Sequence, residues 1–467
     1  MPGPARFSVE EVRRALAAGL IAVHGSTGSP RTAGVSTDSR ALKAGELFVA
    51  LRGPRFDGHD FVGQVLARGA GGVVLERWPL PGVGAETSAA IWQVEDGLSA
   101  LGALARFHRA RFPVDLAAIT GSSGKSTTKT MLAHLLAGSR AVLSTLGTQN
   151  NRIGVPLTLL RLDESHQAAV LELGTNQWGE IRALTEICRP TVGLVTNIGS
   201  AHLETFGDLP GVLREKGSLW DSMDPAAPVV LNADDPLLKE AGKRLSRPVV
   251  WFGTEETAQV RGGDFRCGAG ESRCRVNGRW DLKIPLAGRH NLMNALAALA
   301  CAQVLGEDLP SAIRRLSDFP GLPGRLAITQ RDGLRIIDDS YNANPASLQA
   351  ALQVLSELEC SGRKIAVLGD MLELGDRSDQ LHAEAGRQAV AAGVDFLAAV
   401  GPQARGLLES AWEAGLDSSA GRSFPSAEEA GEFLSDWVRP GDAVLVKGSR
   451  GMRMERVIAC FTTSSTP

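Results

Sequence analysis

Residues 120–127, "TGSSGKST", set glycines, hydroxyls and one lysine in an order suited to holding phosphates. The glycines let the backbone turn its N–H groups toward one point, and a helix that starts here adds the positive end of its dipole. Lys125 is placed to reach terminal phosphates and Ser126 to offer a hydroxyl to magnesium; Gly121, Ser122, Ser123, Gly124 and Thr127 complete the cradle. The common spacing G-x-x-x-x-G-K-[ST] asks for glycine at position 119, where this chain has Ile119, so the loop is a shortened variant. A chance glycine turn is the plain alternative, and the ordered run of strand, turn, lysine, hydroxyl and amphipathic helix argues against it. The loop alone admits ATP or GTP.

Three further residues could handle charge beside it. Glu172 closes the apolar run "AAVLEL", His202 follows "TVGLVTNIG", and Lys216 sits within "LREKGSLW". Taken singly they read as a strand-end cap, a loop histidine and a solvated helix charge. Their common place, beyond strands at the edge where α/β proteins bind ligands, favours a shared site.

The elements that must position these groups follow from the patterning. Up to about residue 112, strand-like runs "ELFVAL" and "GGVVLE" flank a polar loop, and a helix is expected from Gly97 to Arg111. From Val114 onward, "VDLAAIT", "AAVLEL", "TVGLVTNIG" and "PVVLNAD" alternate with helical stretches, as a parallel sheet with crossovers requires. "CRVNGRWDLKIPL" reads as a hairpin turning at Asn277-Gly278, and "NLMNALAALACAQVLG" as a helix closed by Gly306. Prolines and glycines cluster in "DFPGLPGR", marking a boundary and a hinge near Gly321 and Gly324. Beyond it "LRIIDD", "KIAVLGDM", "DFLAAVG" and "DAVLVKG" each precede a helix, which predicts a doubly wound domain.

The chain has 467 residues, 43% hydrophobic and 22% charged, enough for three folded domains, with disorder expected only in the tail Thr462 to Pro467. A formal net charge of −3 gives no electrostatic reason for a nucleic-acid or anionic-membrane partner. The start, "MPGPARF", has no apolar signal core and no run is long enough to span a bilayer, so the expected compartment is the cytoplasm. The six cysteines are scattered without a C-x-x-C pair, which indicates neither a zinc site nor a disulfide framework.

The ordered blocks "TGSSGKST", "NNRIGVPLTLL", "ELGTNQWGEI", "TNIGSAHLETFGDLPGVLREKGSL", "GRHNLMNALAAL", "PGRLAI", "IIDDSYNANPASLQAAL", "VLGDMLELGD" and "LVKGSRGMRMERVI" resemble the Mur ligase family, most closely its branch that adds a D-alanyl-D-alanine dipeptide. The likeness runs from about residue 115 to 460, and "TDSRALKAGELFVALRGPRFDGHDF" extends it into the first domain. It implies an α/β fold of three domains: an N-terminal domain for a UDP substrate (1–112), a central P-loop ATP-binding parallel sheet (113–320) and a C-terminal Rossmann-like domain (321–467). It also implies the activity: ATP phosphorylates a carboxylate of UDP-N-acetylmuramoyl-tripeptide, and the dipeptide amine displaces the phosphate. The expected partners are these small molecules alone, acting on a monomer.

Carried over position by position, the resemblance gives Lys125, Lys216, His202 and Glu172 to catalysis. It makes Ser126 and Glu172 ligands of one magnesium ion and His202 a ligand of a second. Lys216 matches a lysine that relatives carry as a carbamate, which turns a cation that would repel magnesium into an anion. Asn291 and Asn294 fall in a motif facing adenine, with helix capping as their plainer role, and Arg325 near ribose and phosphate. Asp338 or Asp339 contacts the nucleotide. Asn151, Tyr341, Asn342, Asn344, Lys447 and Arg450 are candidates for receiving the acceptor substrates, with loop turns and helix caps as the competing reading. Ser39, Arg40 and Asp57 are candidates for the uridine end. The chain lacks a D-x-P-R motif, which argues against diamino-acid addition, and it carries Gln177-Trp178 where a histidine-proline-like pair is expected. Two other readings stay open: another amide ligase of the family, or a nucleotide-binding switch without turnover.

Overall fold

Alternating strands and helices build three sheets in chain order, described in a computed structural model for residues 5–25, 31–54, 56–80, 89–268 and 270–463. The first is five-stranded, with Leu20–His24 antiparallel at one edge of otherwise parallel strands. The helix Gly97–Arg109 follows, N-capped by Asp96, whose side chain accepts from the Ser99 N–H.

The central sheet has nine strands. At its heart Asp115–Thr120 lies between Ala168–Glu172 and Val192–Val195, all parallel. The register aligns Ile119 with Glu172 and Thr120 with Val195, so three polar loops leave the sheet side by side. Ile119 is fully buried in the strand, which is why the phosphate loop begins only at Gly121. At the far edge Val260–Cys267 pairs with the hairpin Ser272–Val276 and Trp280–Ile284. Asn277 and Gly278 turn it with φ of 52° and 66°.

The third sheet has six strands. Ala327–Arg331 adds an antiparallel edge to the parallel set Leu334–Asp339, Ala443–Lys447, Lys364–Gly369, Phe396–Val400 and Gly421–Phe424. The strand Ala443–Lys447 is inserted between Leu334–Asp339 and Lys364–Gly369, creating a switch point where such sheets bind ligands. In register, Asp339 lies opposite Lys447 at that edge. The terminal helix Glu455–Thr463 takes in the start of the tail expected to be disordered; residues 464–467 lie outside the described part.

The cores show how the units are joined. One apolar cluster runs from Phe7, Trp92 and Leu101 into Leu116, Leu171 and Leu184, fusing the first sheet to one face of the central sheet. Gly102 lets the helix Gly97–Arg109 approach Glu180–Cys188, since a methyl there would sit 2.8 Å from Ile187 Cδ1. The other central face is covered by the helices Lys125–Ala137, Arg289–Val304 and Leu309–Leu316. The third sheet keeps separate clusters on its two faces and meets the central domain largely through polar side chains. Gly321 and Gly324, in the connection between them, have φ of 77° and 70°.

Candidate functional site

The phosphate loop is held open by its neighbour. Gly121 has φ 144°, and a Cβ there would fall 1.9 Å from Thr196 Oγ1; Gly124 has φ 80°, and a Cβ would fall 2.2 Å from Asn294 Oδ1. Only glycine fits both positions. The Thr196 hydroxyl donates to the Ser123 carbonyl, Asn197 Oδ1 accepts from the Ser123 N–H, and the Ser122 hydroxyl donates to the Gly199 carbonyl. Gly124 caps the helix Lys125–Ala137 with no side-chain acceptor, which leaves its first-turn N–H groups for a ligand. Lys125 Nζ donates to the Gly121 carbonyl at 2.8 Å; burial lowers its pKa, Glu172 opposes that and Arg325 adds to it.

Glu172 is buried beside the loop. One oxygen accepts from Asn150 Nδ2 at 2.8 Å, while Oε2 is buried with no hydrogen-bond partner among the described residues. A buried carboxylate oxygen in that state is costly unless a cation or donor completes it. Lys216, on the helix Leu209–Asp221, is also fully buried, so the reading as a solvated charge does not hold. Burial pushes its pKa well below the usual lysine value, and the nearby positive Lys125 lowers it further. Both effects disfavour the charged form.

The third domain supplies the opposite wall. Arg325 Nη2 donates to Ser126 Oγ at 3.0 Å, its guanidinium lies 4.2 Å from the centre of the Tyr341 ring, and the Tyr341 hydroxyl donates to Thr148 Oγ1 at 2.5 Å. His202 meets Glu373 at 2.6 Å. Its hydrogen bond to His202 holds the Glu373 carboxyl below the usual range. Between the walls lies a cavity of about 700 Å³. Residues 122–127, Asn151, Glu172, His202, Asn291, Asn294, Arg325, Asp339, Tyr341, Asn342, Asn344, Lys447 and Arg450 line it.

All three segments of the chain match domains of one family: residues 31–109 the Mur ligase family catalytic domain, 119–302 the Mur ligase middle domain, and 324–450 the Mur ligase glutamate ligase domain. The chain belongs to the Mur ligase family. The UDP-N-acetylmuramoyl-tripeptide--D-alanyl-D-alanine ligase of Escherichia coli is 37% identical, over 92% of this chain and 94% of that one. Its namesake in Bacillus subtilis is 33% identical over 91% and 92%. The crystal structure of MurF from Acinetobacter baumannii superposes with a TM-score of 0.88 at 34% identity, covering 98% of this chain and 99% of that one. MurF from Thermotoga maritima, solved in complex with ADP, gives a TM-score of 0.81 at 31% identity over 91% and 96%.

Within this Mur ligase the two aspartates separate. Asp339 lines the cavity and pairs with Lys447 Nζ at 2.5 Å, whereas Asp338 accepts from the Gly324 N–H and the Ser340 hydroxyl, fixing the turn below. Burial lowers the Lys447 pKa, and burial, with Lys447 adding to it, brings His290 down to about 4. Asn344 spends its side chain capping the helix Pro345–Glu357, and Asn151 Oδ1 accepts from the Ile153 and Gly154 N–H groups in the turn that leads into Gly154–Leu159. Asn342 Oδ1 accepts from the Arg450 N–H, and Arg450 also pairs with Glu455. Asn291 donates to the Ala287 carbonyl and Asn294 to Asn291 Oδ1, so the helix cap itself falls to Gly288.

Ser39, Arg40 and Asp57 lie on the first domain away from that cavity; Arg40 pairs with Asp38, and Asp57 with His59 and Arg77. Trp178 is half exposed and packs edge-on against Phe206, which in turn meets the His202 ring. Sequence reasoning missed Thr196 and Asn197, although their place at a strand end beside the loop is a usable signal. It also missed Lys129, buried and bonded to the Thr145 and Gly147 carbonyls, and Glu215, which accepts from the Gly179 and Ile181 N–H groups. Neither has a local signature.

Proposed function

We propose that this chain is the ligase that joins D-alanyl-D-alanine to UDP-N-acetylmuramoyl-tripeptide, converting ATP to ADP and phosphate through an acyl phosphate. The observation that carries the reading is a phosphate loop facing a cationic third-domain wall across one cavity, in a chain matched over 91–92% of its length by ligases of that name. A carboxylate oxygen of the tripeptide attacks the terminal phosphorus and ADP leaves. The dipeptide amine then attacks the acyl carbon, and phosphate departs as the amide forms. A free carboxylate resists that second step because its leaving group is poor.

The chain's own residues divide the work. The loop N–H groups and Lys125 hold the terminal phosphates; Lys125 exchanges its Gly121 carbonyl for phosphate oxygen as the nucleotide enters. Arg325, now on Ser126, lies within reach of the same phosphates. The buried Asp339–Lys447 pair orders the strand end of the third domain, and Arg450 with Tyr341 offers a carboxylate a bidentate, stacked partner. Closure of the third domain on the loop keeps water from the acyl phosphate.

The residues present fit magnesium. The unpartnered Glu172 Oε2 and the Ser126 hydroxyl are hard oxygen donors beside a phosphate cradle, and would hold one ion. His202 and a carbamate on Lys216 would hold a second. When bound, the ions neutralise charge on the phosphates. The depressed pKa of Lys216 supports the carbamate, because only the neutral amine adds carbon dioxide. Among the described residues no helix is long and apolar enough to cross a membrane. A monomer acting in the cytoplasm, where ATP is supplied, completes the proposal. The test is product formation from all three substrates; phosphate release that ignores the tripeptide or the dipeptide would sink it.

A further inference from the structure

The His202–Glu373 contact joins two loops that are separate in sequence and belong to different domains. His202 stands at the start of the short helix Leu203–Phe206, with φ 57°; Glu373 stands in the loop after Lys364–Gly369, with φ 64°. Both are non-glycine residues in the left-handed region, a strain that clusters where geometry serves function. The loops press together beyond this pair: a methyl on Gly375 would lie 3.2 Å from the Glu204 Cα. The Glu373 side chain is about half exposed, at 52%. A polar contact that open to water adds little stability, so the strain is not repaid as folding energy.

The chemistry of the contact is specific. A carboxylate can only accept, so His202 Nδ1 is the donor in this contact. Pinning one ring nitrogen fixes both tautomer and ring orientation, as carboxylates do for functional histidines. Here the pinning group arrives with the other domain.

We propose that Glu373 is an interdomain positioning residue: on closure its carboxylate accepts a hydrogen bond from His202 Nδ1, so that the His202 ring is held in its working orientation only when the third domain is seated. This rests on the function proposed above for His202. The hydrogen-bond partner of Glu373 is His202 and not the phosphate loop, so loss of the latch falls on turnover more than on nucleotide binding.

The experiment compares wild type, Glu373→Ala and Glu373→Gln as full-length chains. Glu373→Ala should lower kcat by about 10- to 100-fold, with the KM for ATP within about twofold and the thermal midpoint unchanged, as expected for an exposed pair. Glu373→Gln, whose amide oxygen still accepts the Nδ1 proton, should retain more of kcat than Ala. Small-angle scattering of the ADP-bound chains, which needs no ligation, should show wild type more compact than Glu373→Ala. Wild-type turnover and compactness in Glu373→Ala would overturn the latch, as would equal losses of kcat and thermal midpoint in both variants. If wild type forms no amide at all, the proposed reaction fails, while the scattering still decides whether Glu373 holds the domains.

Discussion

Lys216 is the residue at which burial changes chemistry most. A lone buried ammonium costs several kcal/mol, and here burial and Lys125 both disfavour the charged form. In the unfolded chain the same amine titrates at its ordinary value. Between the depressed folded pKa and that value the unfolded state binds more protons, so stability rises with pH across this window. Lys216→Met should flatten that rise in thermal melts followed from neutral to alkaline pH. Carbon-13 spectra after adding labelled bicarbonate should show a carbamate signal in wild type that the same variant lacks. Lys125 has a different burden, the charge on the moving phosphoryl group. Lys125→Ala should reduce kcat by about 100- to 1,000-fold, measured by phosphate release, with the fold intact by circular dichroism.

At the scale of elements, the loop between Thr120 and Lys125 depends on its neighbour strand's end. Gly121→Ala drives a methyl into Thr196 in a backbone region closed to L-residues, and should cost about 1–3 kcal/mol along with nucleotide binding measured by calorimetry. Gly147→Ala is the contrast: φ is 51° and no described residue would lie within 4 Å of the new methyl, so about 1–2 kcal/mol is expected and binding persists. These elements also mark what was legible. The loop, the hairpin at Asn277-Gly278 and the alanine-leucine helix carry local signals, and each is found where those signals put it. Val260–Cys267 was not read because "VRGGDFRC" mixes two glycines with three charges, and only its pairing with both neighbours makes it a strand. Ala327–Arg331 was missed although Asp332-Gly333, with φ of 48° and 78°, is the turn signal that announces it. Glu373, Glu215 and Lys129 act through partners 16 to 171 positions away, which no local pattern encodes.

At the scale of the whole molecule, the two junctions differ in kind. The first and central sheets share an apolar core and should melt together, whereas the third domain meets the central one largely through polar side chains, among them Arg325, Tyr341 and Glu373. Polar junctions of this sort open and close at low cost. The central claim is that the stem peptide's terminal carboxylate is activated by phosphorylation before the dipeptide arrives. The most direct measurement labels that carboxylate with heavy oxygen, supplies ATP and D-alanyl-D-alanine, and weighs the products. The account predicts a single labelled oxygen in the released phosphate for each amide formed, and a UDP-peptide heavier by the dipeptide less one water. Unlabelled phosphate accompanying the same amide would contradict it.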